Sequence, residues 1–242
     1  MNVRFLISGD TALVVEFGDR IDRALNDRVL RLSALLRASS TPGIVETVPT
    51  FRSLMVLFDP LLTDSASLTS AIRDLLDHDG AAARTRAKLW RIPACYATSH
   101  APDLAEVAQR TGLTAQDVIR RHVETCFHVY MIGFVPGFPY MGDLPEPLVL
   151  PRRTDPRLKV PAGSIAIATN MTAIYPVESP GGWHLIGATP IRLFDDMRSA
   201  QPALLSPGDK VRFESITAAE FDEIRAAVAA DAYQVACEQV AG

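Results

Sequence analysis

The sequence predicts an α+β domain at the N-terminus followed by an all-β barrel or sandwich, and two observations carry that expectation. Up to about residue 84 the apolar residues alternate between strand and helix periods, whereas from Phe127 to Phe213 the helical period disappears and Pro and Gly punctuate short apolar runs. A turn signal at His78-Asp79-Gly80 and an Ala/Arg run to Arg86 read as the linker, which gives boundaries of 1–84 and 88–242.

In the first region Val3–Ile7 and Leu13–Phe17 flank the turn signal Ser8-Gly9-Asp10-Thr11 and read as strands. Ile21, Leu25, Val29, Leu32 and Leu36 recur at helical spacing, so 21–36 reads as an amphipathic helix stopped by Thr41-Pro42-Gly43. Ile44–Val48 and Leu54–Phe58 follow as strands and Leu68–Leu76 as a second helix. The second region opens with a strand at Lys88–Cys95 and helices at Asp103–Thr111 and Ala115–Glu124. The intervening Gly112-Leu113-Thr114 resembles the turn of a helix-turn-helix, but two helices behind a strand in an acidic chain read better as a packing unit. Strands are expected at 129–134, 164–168, 172–175, 183–186 and 211–213, and a closing helix at Ala218–Ala230, with Thr217 as N-cap and Glu220 three residues on.

Composition excludes several function classes. With 242 residues, 48% hydrophobic and 21% charged, the chain can bury a real core and is not a disordered segment. A net charge of −4 and a pI near 5.7 offer no long-range attraction to nucleic acid or anionic membrane, so neither is expected as a partner. No long apolar run and no signal-peptide pattern occur, which places the protein in the cytoplasm. Cys95, Cys126 and Cys237 have none of the spacings that hold zinc or run redox chemistry, so they are expected as buried apolar fillers and no metal is expected. No GxGxxG, GxxxxGK[ST], HExxH or GxSxG pattern is present.

The chemistry is expected in three Gly/Pro-rich clusters of the β region, at 133–142, 151–164 and 175–184. Glycine admits a ligand close to the backbone, and proline stiffens the loop that presents it. Within the middle cluster Arg152, Arg153, Arg157 and Lys159 reverse the sign of an acidic chain, as an anion site would require, since guanidinium forks bind carboxylate or phosphate. His184 is the one histidine inside such a cluster and could exchange a proton or hydrogen bond near neutral pH, whereas His78 and His100 read as exposed loop residues.

The same clusters resemble a known family. Gly133-Phe134…Pro136-Gly137-Phe138…Tyr140, Pro151-Arg152-Arg153…Pro156-Arg157…Val160-Pro161-Ala162-Gly163-Ser164 and Tyr175-Pro176…Ser179-Pro180-Gly181-Gly182-Trp183 are similar to the family of the 5-oxoprolinase B-type subunit (PxpB), allophanate hydrolase subunit 1 and the kinase inhibitor KipI. Gly9-Asp10…Ala12 to Phe17, Arg52-Ser53-Leu54 and Pro207-Gly208-Asp209 extend the likeness over nearly the whole chain. The resemblance implies an α+β N-terminal domain followed by a cyclophilin-like β-barrel domain. It also implies a larger, PxpC/KipA-like partner subunit of related barrel fold, a LamB/YcsF-like subunit, and ATP-driven opening of a lactam or related small amide or urea compound. On that basis His184 and Arg153 are assigned as catalytic groups, and Arg157, Lys159, Ser164, Tyr175, Gly181 and Gly182 as substrate-binding groups. The alternative the family offers is a KipI-like regulator that inhibits a sensor histidine kinase. The chain departs from the family pattern at Thr169-Asn170-Met171-Thr172-Ala173, where relatives have Gly-Gly-Gln-Thr-Gly, at Ala188, where they have arginine, and at Ala97-Thr98-Ser99-His100-Ala101, where they have a Gly-rich loop.

Overall fold

The computed structural model describes residues 3–39, 41–77, 86–197 and 201–241. The chain divides into two compact units, Met1–Thr85 and Arg86–Gly242. The linker expected at 78–86, His78 included, lies almost wholly outside the described residues.

The first unit is a four-stranded antiparallel sheet in the order β1-β2-β4-β3, formed by β1 (Arg4–Ser8), β2 (Ala12–Glu16), β3 (Ile44–Pro49) and β4 (Ser53–Phe58). Strand alternation sends Leu13, Val15, Leu54 and Val56 to one face, where α1 (Arg23–Ser39) and α2 (Ser65–Asp77) cover them with Leu25, Val29, Leu32, Leu36, Leu68 and Ile72. Helix α1 starts two residues later than its apolar spacing suggests. The Asp22 carboxylate accepts the Leu25 N–H at 3.2 Å and caps the helix there, which leaves Ile21 outside it and exposed. On the opposite sheet face Glu16 accepts hydrogen bonds from Arg4 and Arg52.

The second unit is a closed barrel. Strands β5 (Arg86–Cys95), β6 (Phe127–Ile132), β7 (Pro139–Gly142), β9 (Ser164–Ala168), β10 (Met171–Ile174), β12 (His184–Ala188) and β13 (Lys210–Ile216) follow the order β12-β9-β10-β7-β6-β13-β5. Ala188 of β12 pairs with Cys95 of β5 and closes the ring. The first half of β5 pairs instead with β14 (Cys237–Ala241), a strand that the sequence reading, ending on the helix at 218–230, does not include. Strands β8 (Arg157–Val160) and β11 (Ser179–Gly181) form a separate two-stranded ribbon.

Helices α3 (Leu104–Thr111) and α4 (Ala115–Glu124) put Leu104, Val107, Ala108 and Val118 into the same apolar core as the barrel strands, so the pair is a packing unit. Gly112 joins them in the left-handed region at φ 69°, and the Thr114 hydroxyl accepts the Asp117 N–H to start α4. The closing helix α5 (Ala218–Ala229) carries a capping box made by Thr217 and Glu220. Asp209 of the Pro207-Gly208-Asp209 motif is buried, where its carboxylate accepts from the Trp90 indole N–H at 2.9 Å and the Ser206 N–H at 3.0 Å, so that motif is architectural.

The cysteines differ from expectation. Cys95 is buried, but Cys126 is half-buried and Cys237 is exposed, because the chain continues into β14 and lays that residue on an added strand instead of in the core. His100 is half-buried, its ring centroid 4.3 Å from that of Phe221. No described helix is long and apolar enough to cross a membrane.

Candidate functional site

The three Gly/Pro clusters meet around the ribbon β8–β11 and the start of α3. Asp103, immediately before α3, is the hub. It is 4% exposed, and its Oδ2 accepts the Leu185 N–H at 2.7 Å while its own N–H donates to the Leu185 carbonyl at 3.0 Å, which locks α3 to β12. Its Oδ1 accepts Arg157 Nη2 at 2.5 Å and a longer contact from Arg153 Nη1 at 3.5 Å. Arg153 Nη1 also reaches Glu106 Oε2 at 3.3 Å, and Glu106 Oε1 accepts from Arg110. A carboxylate this buried survives only when paired and hydrogen-bonded, so Asp103 and the two arginines stabilise one another.

The backbone joins the clusters as well. Arg153 N–H donates to the Gly182 carbonyl at 2.8 Å, and His184 Nε2 donates to the Pro151 carbonyl at 3.0 Å. His184 is fully buried at the head of β12 and is not the loop residue its glycine-rich surroundings suggest. Strand pairing with Ile167 draws it inside, and its Nδ1 has no partner among the described residues.

Beside the hub stands an aromatic wall. Phe138 packs edge-on against Tyr140, Tyr175 and Trp183 at centroid distances of 4.9, 5.1 and 6.0 Å, and the Arg152 guanidinium lies 6.0 Å from the Trp183 ring. Burial pushes the Tyr175 hydroxyl up to about 12, opposed by the positive charges of Arg152 and Arg157 and by the Trp183 backbone N–H, so the phenol is a neutral donor at physiological pH. Gly181 lies against that hydroxyl, where a Cβ would sit 2.1 Å from the oxygen, so only glycine fits. At Gly182 the nearest atom to a Cβ would be 3.5 Å away, and glycine is not sterically required.

The structure therefore brings together Arg153, Arg157, Tyr175, Gly181, Gly182 and His184 of the expected residues. Lys159 does not join them. Its side chain is 79% exposed on the outer face of β8 and pairs with Glu178 at 3.1 Å, because the register shift between β8 and β11 breaks the alternation that would otherwise keep it on the face of Arg157. Ser164 is buried at the start of β9 and is linked to the group through its backbone carbonyl, which accepts the Tyr175 N–H at 2.9 Å. Asp103 was missed by sequence reasoning. Asp103 lies 54 residues from Arg157, and no local pattern announces that pairing.

Comparison with known proteins identifies the family. Residues 3–205 match the family model described as carboxyltransferase domain, subdomain C and D. The chain is 36% identical to the 5-oxoprolinase B-type subunit of Bacillus subtilis (strain 168) over 233 residues, covering 91% of this chain and 97% of that protein. It is 39% identical to the protein of the same name from Escherichia coli O157:H7, covering 87% and 94%. Among solved structures, the K. lactis urea amidolyase shares the fold at a TM-score of 0.80 and 22% identity, with 98% of this chain matching 16% of that longer one. The chain belongs to the carboxyltransferase-domain family, subdomain C and D, in the group that includes the 5-oxoprolinase B-type subunits.

Proposed function

We propose that this protein is one subunit of an ATP-dependent complex that hydrolyses a small lactam or a related amide or urea compound, and that the barrel face around β8–β11 receives the substrate. The observation that carries the reading is full-length similarity to proteins named as subunits of 5-oxoprolinase, on a chain whose buried Arg–Asp hub adjoins a neutral tyrosine donor. Nearly the whole chain aligns with only 16% of the much longer urea amidolyase chain, which fits a module that works beside others.

In this reading Arg157 and Tyr175 offer hydrogen bonds to the substrate, and Gly181 makes room for the phenol. Arg153 and His184 act from behind. Arg153 is bonded to Asp103 and Glu106 and holds the Gly182 carbonyl, while the imidazole is wholly enclosed and holds the Pro151 carbonyl. Such fixed donors favour an oxygen that gains negative charge as an amide is attacked.

ATP use belongs to the complex. Of the expected cations, Arg153 is engaged by Asp103 and Glu106 and Lys159 pairs with Glu178, while Arg157 keeps one unpartnered nitrogen, and none of them is assigned to a triphosphate. The partner subunits are those the family implies, a larger barrel subunit and a LamB/YcsF-like subunit.

Reconstitution tests the proposal. The purified chain alone should show no turnover of 5-oxoproline with or without ATP, and co-purified partners should restore lactam-dependent phosphate release. Turnover by the isolated chain would place the whole active site here, and inhibition of a sensor histidine kinase with no amide-dependent activity in any combination would replace the proposal with the regulatory reading.

A further inference from the structure

Two buried polar groups of the β8–β11 ribbon lack a hydrogen-bond partner among the described residues, Arg157 Nη1 and Ser179 Oγ. Leaving such a donor unpaired costs about 1–3 kcal/mol, so a native fold keeps one only where something else completes it. Ser179 is 7% exposed.

The register puts both groups on one face. Ser179 pairs with Val160 and Gly181 with Arg157, so three steps on β8 oppose two on β11. This bulge lets Arg157 and Val160 point the same way. Leu158, Lys159 and Pro180 are exposed on the outer side, while Val160 and Ser179 are buried. Arg157, Ser179 and Gly181 therefore share the inner face, with the Tyr175 hydroxyl against Gly181. Asp103 holds Nη2 of Arg157 and so fixes the direction of the other tine of the fork.

Charge identifies the ligand class. Arg110, Arg153 and Arg157 face Asp103 and Glu106, which leaves 3 − 2 = +1, and Arg152 beside Trp183 raises the local charge to +2 in a chain of −4. Two N–H or O–H donors on one side of a positively charged face match the two oxygens of a carboxylate. We infer that Arg157 Nη1 and Ser179 Oγ bind a carboxylate on the amide substrate, so that the site selects small amides bearing a carboxylate over neutral ones such as urea. The inference rests on the proposed placement of the substrate at this face.

Calorimetric titration of the full chain, alone and assembled with its partner subunits, tests it with two probes: 5-oxoproline and 2-pyrrolidinone, the same ring without the carboxylate. The expected preference for 5-oxoproline is about tenfold or more, the size of one charge-assisted hydrogen bond. Ser179→Ala should erase about tenfold of the 5-oxoproline affinity, leave 2-pyrrolidinone unchanged, and keep or raise Tm because the lost hydroxyl had no partner. Arg157→Lys, which retains charge but loses the fork, should also reduce the preference. Equal affinity for the two probes, or a preference that survives both substitutions, overturns the carboxylate assignment while leaving the substrate site in place. If neither probe binds the chain or the complex, both the assignment and the site fall.

Discussion

Thr169 occupies a position where the family pattern has glycine, and its backbone φ is 52°, in the left-handed region that a β-branched residue adopts only under strain. Thr169→Gly should therefore stabilise the protein by about 0.5–1 kcal/mol, strain relief exceeding the extra freedom glycine gains in the unfolded chain. A urea midpoint unchanged or lowered by the substitution would show that the turn is not strained. The cation cluster makes a second point at this scale. Arg153, Arg157 and Lys159 look alike in sequence, yet two are bonded to a buried carboxylate and the third is a solvated pair. Asp103→Ala should cost about 2–3 kcal/mol, since it strips a charged partner from two guanidiniums and an acceptor from Leu185 N–H, whereas Lys159→Ala should cost no more than about 0.5 kcal/mol. Thermal melts that rank the two variants the other way would remove Asp103 from the centre of the site. The types of the candidate residues were legible in the sequence, because glycine, proline and a reversal of charge are local signals. Their environments were not, because Asp103 meets Arg157 only after the barrel has closed.

Helix α4 shows how an element is fixed by polar groups inside an apolar core. His122 is fully buried and stacked 4.5 Å from Phe213. Thr172 donates to the Ala166 carbonyl at 3.1 Å, so its oxygen accepts from His122 Nε2 at 3.0 Å, and His122 Nδ1 accepts from the Tyr96 hydroxyl at 2.8 Å. Each member is satisfied, which ties α4 to strand β10 and to Tyr96, the residue that follows β5. Burial pushes the imidazole down to about 3, while in the unfolded chain it titrates near its usual 6.5. The unfolded state therefore binds more protons between those values, and the stability contributed by the neutral form is full above about pH 6.5 and falls as pH drops toward 3. Between pH 7 and 5 the loss from this group should be about 2 kcal/mol. Urea unfolding of the wild type and His122→Gln at both pH values checks it: the variant should lose less over that interval, and parallel losses would assign the dependence elsewhere. Among the elements, helices and strands with several apolar repeats, such as 115–124 and 164–168, were readable from period alone. Strands β7, β8 and β11 were not, since each is three or four residues long and contains or adjoins Pro and Gly, which favour turns when read locally.

At the scale of the whole molecule, a barrel closed by β12 on β5 gathers loops that are far apart in sequence, and the ribbon β8–β11 lies where those loops meet. The α+β and all-β classes followed from the change of apolar period, and the barrel and the family followed from the resemblance carried by the long composite motifs of the loops. Which residues face inward was decided by strand alternation and the ribbon bulge, which composition does not reveal. The proposed division of labour, with the amide held here and ATP handled by the assembly, is tested most directly by lactam-dependent phosphate release from the assembled complex carrying Arg157→Ala. The account predicts a loss in kcat/KM of about 10- to 100-fold, expressed mainly as a higher KM, the scale of a lost charged hydrogen bond to substrate. A correctly assembled Arg157→Ala complex with wild-type kcat/KM would contradict it.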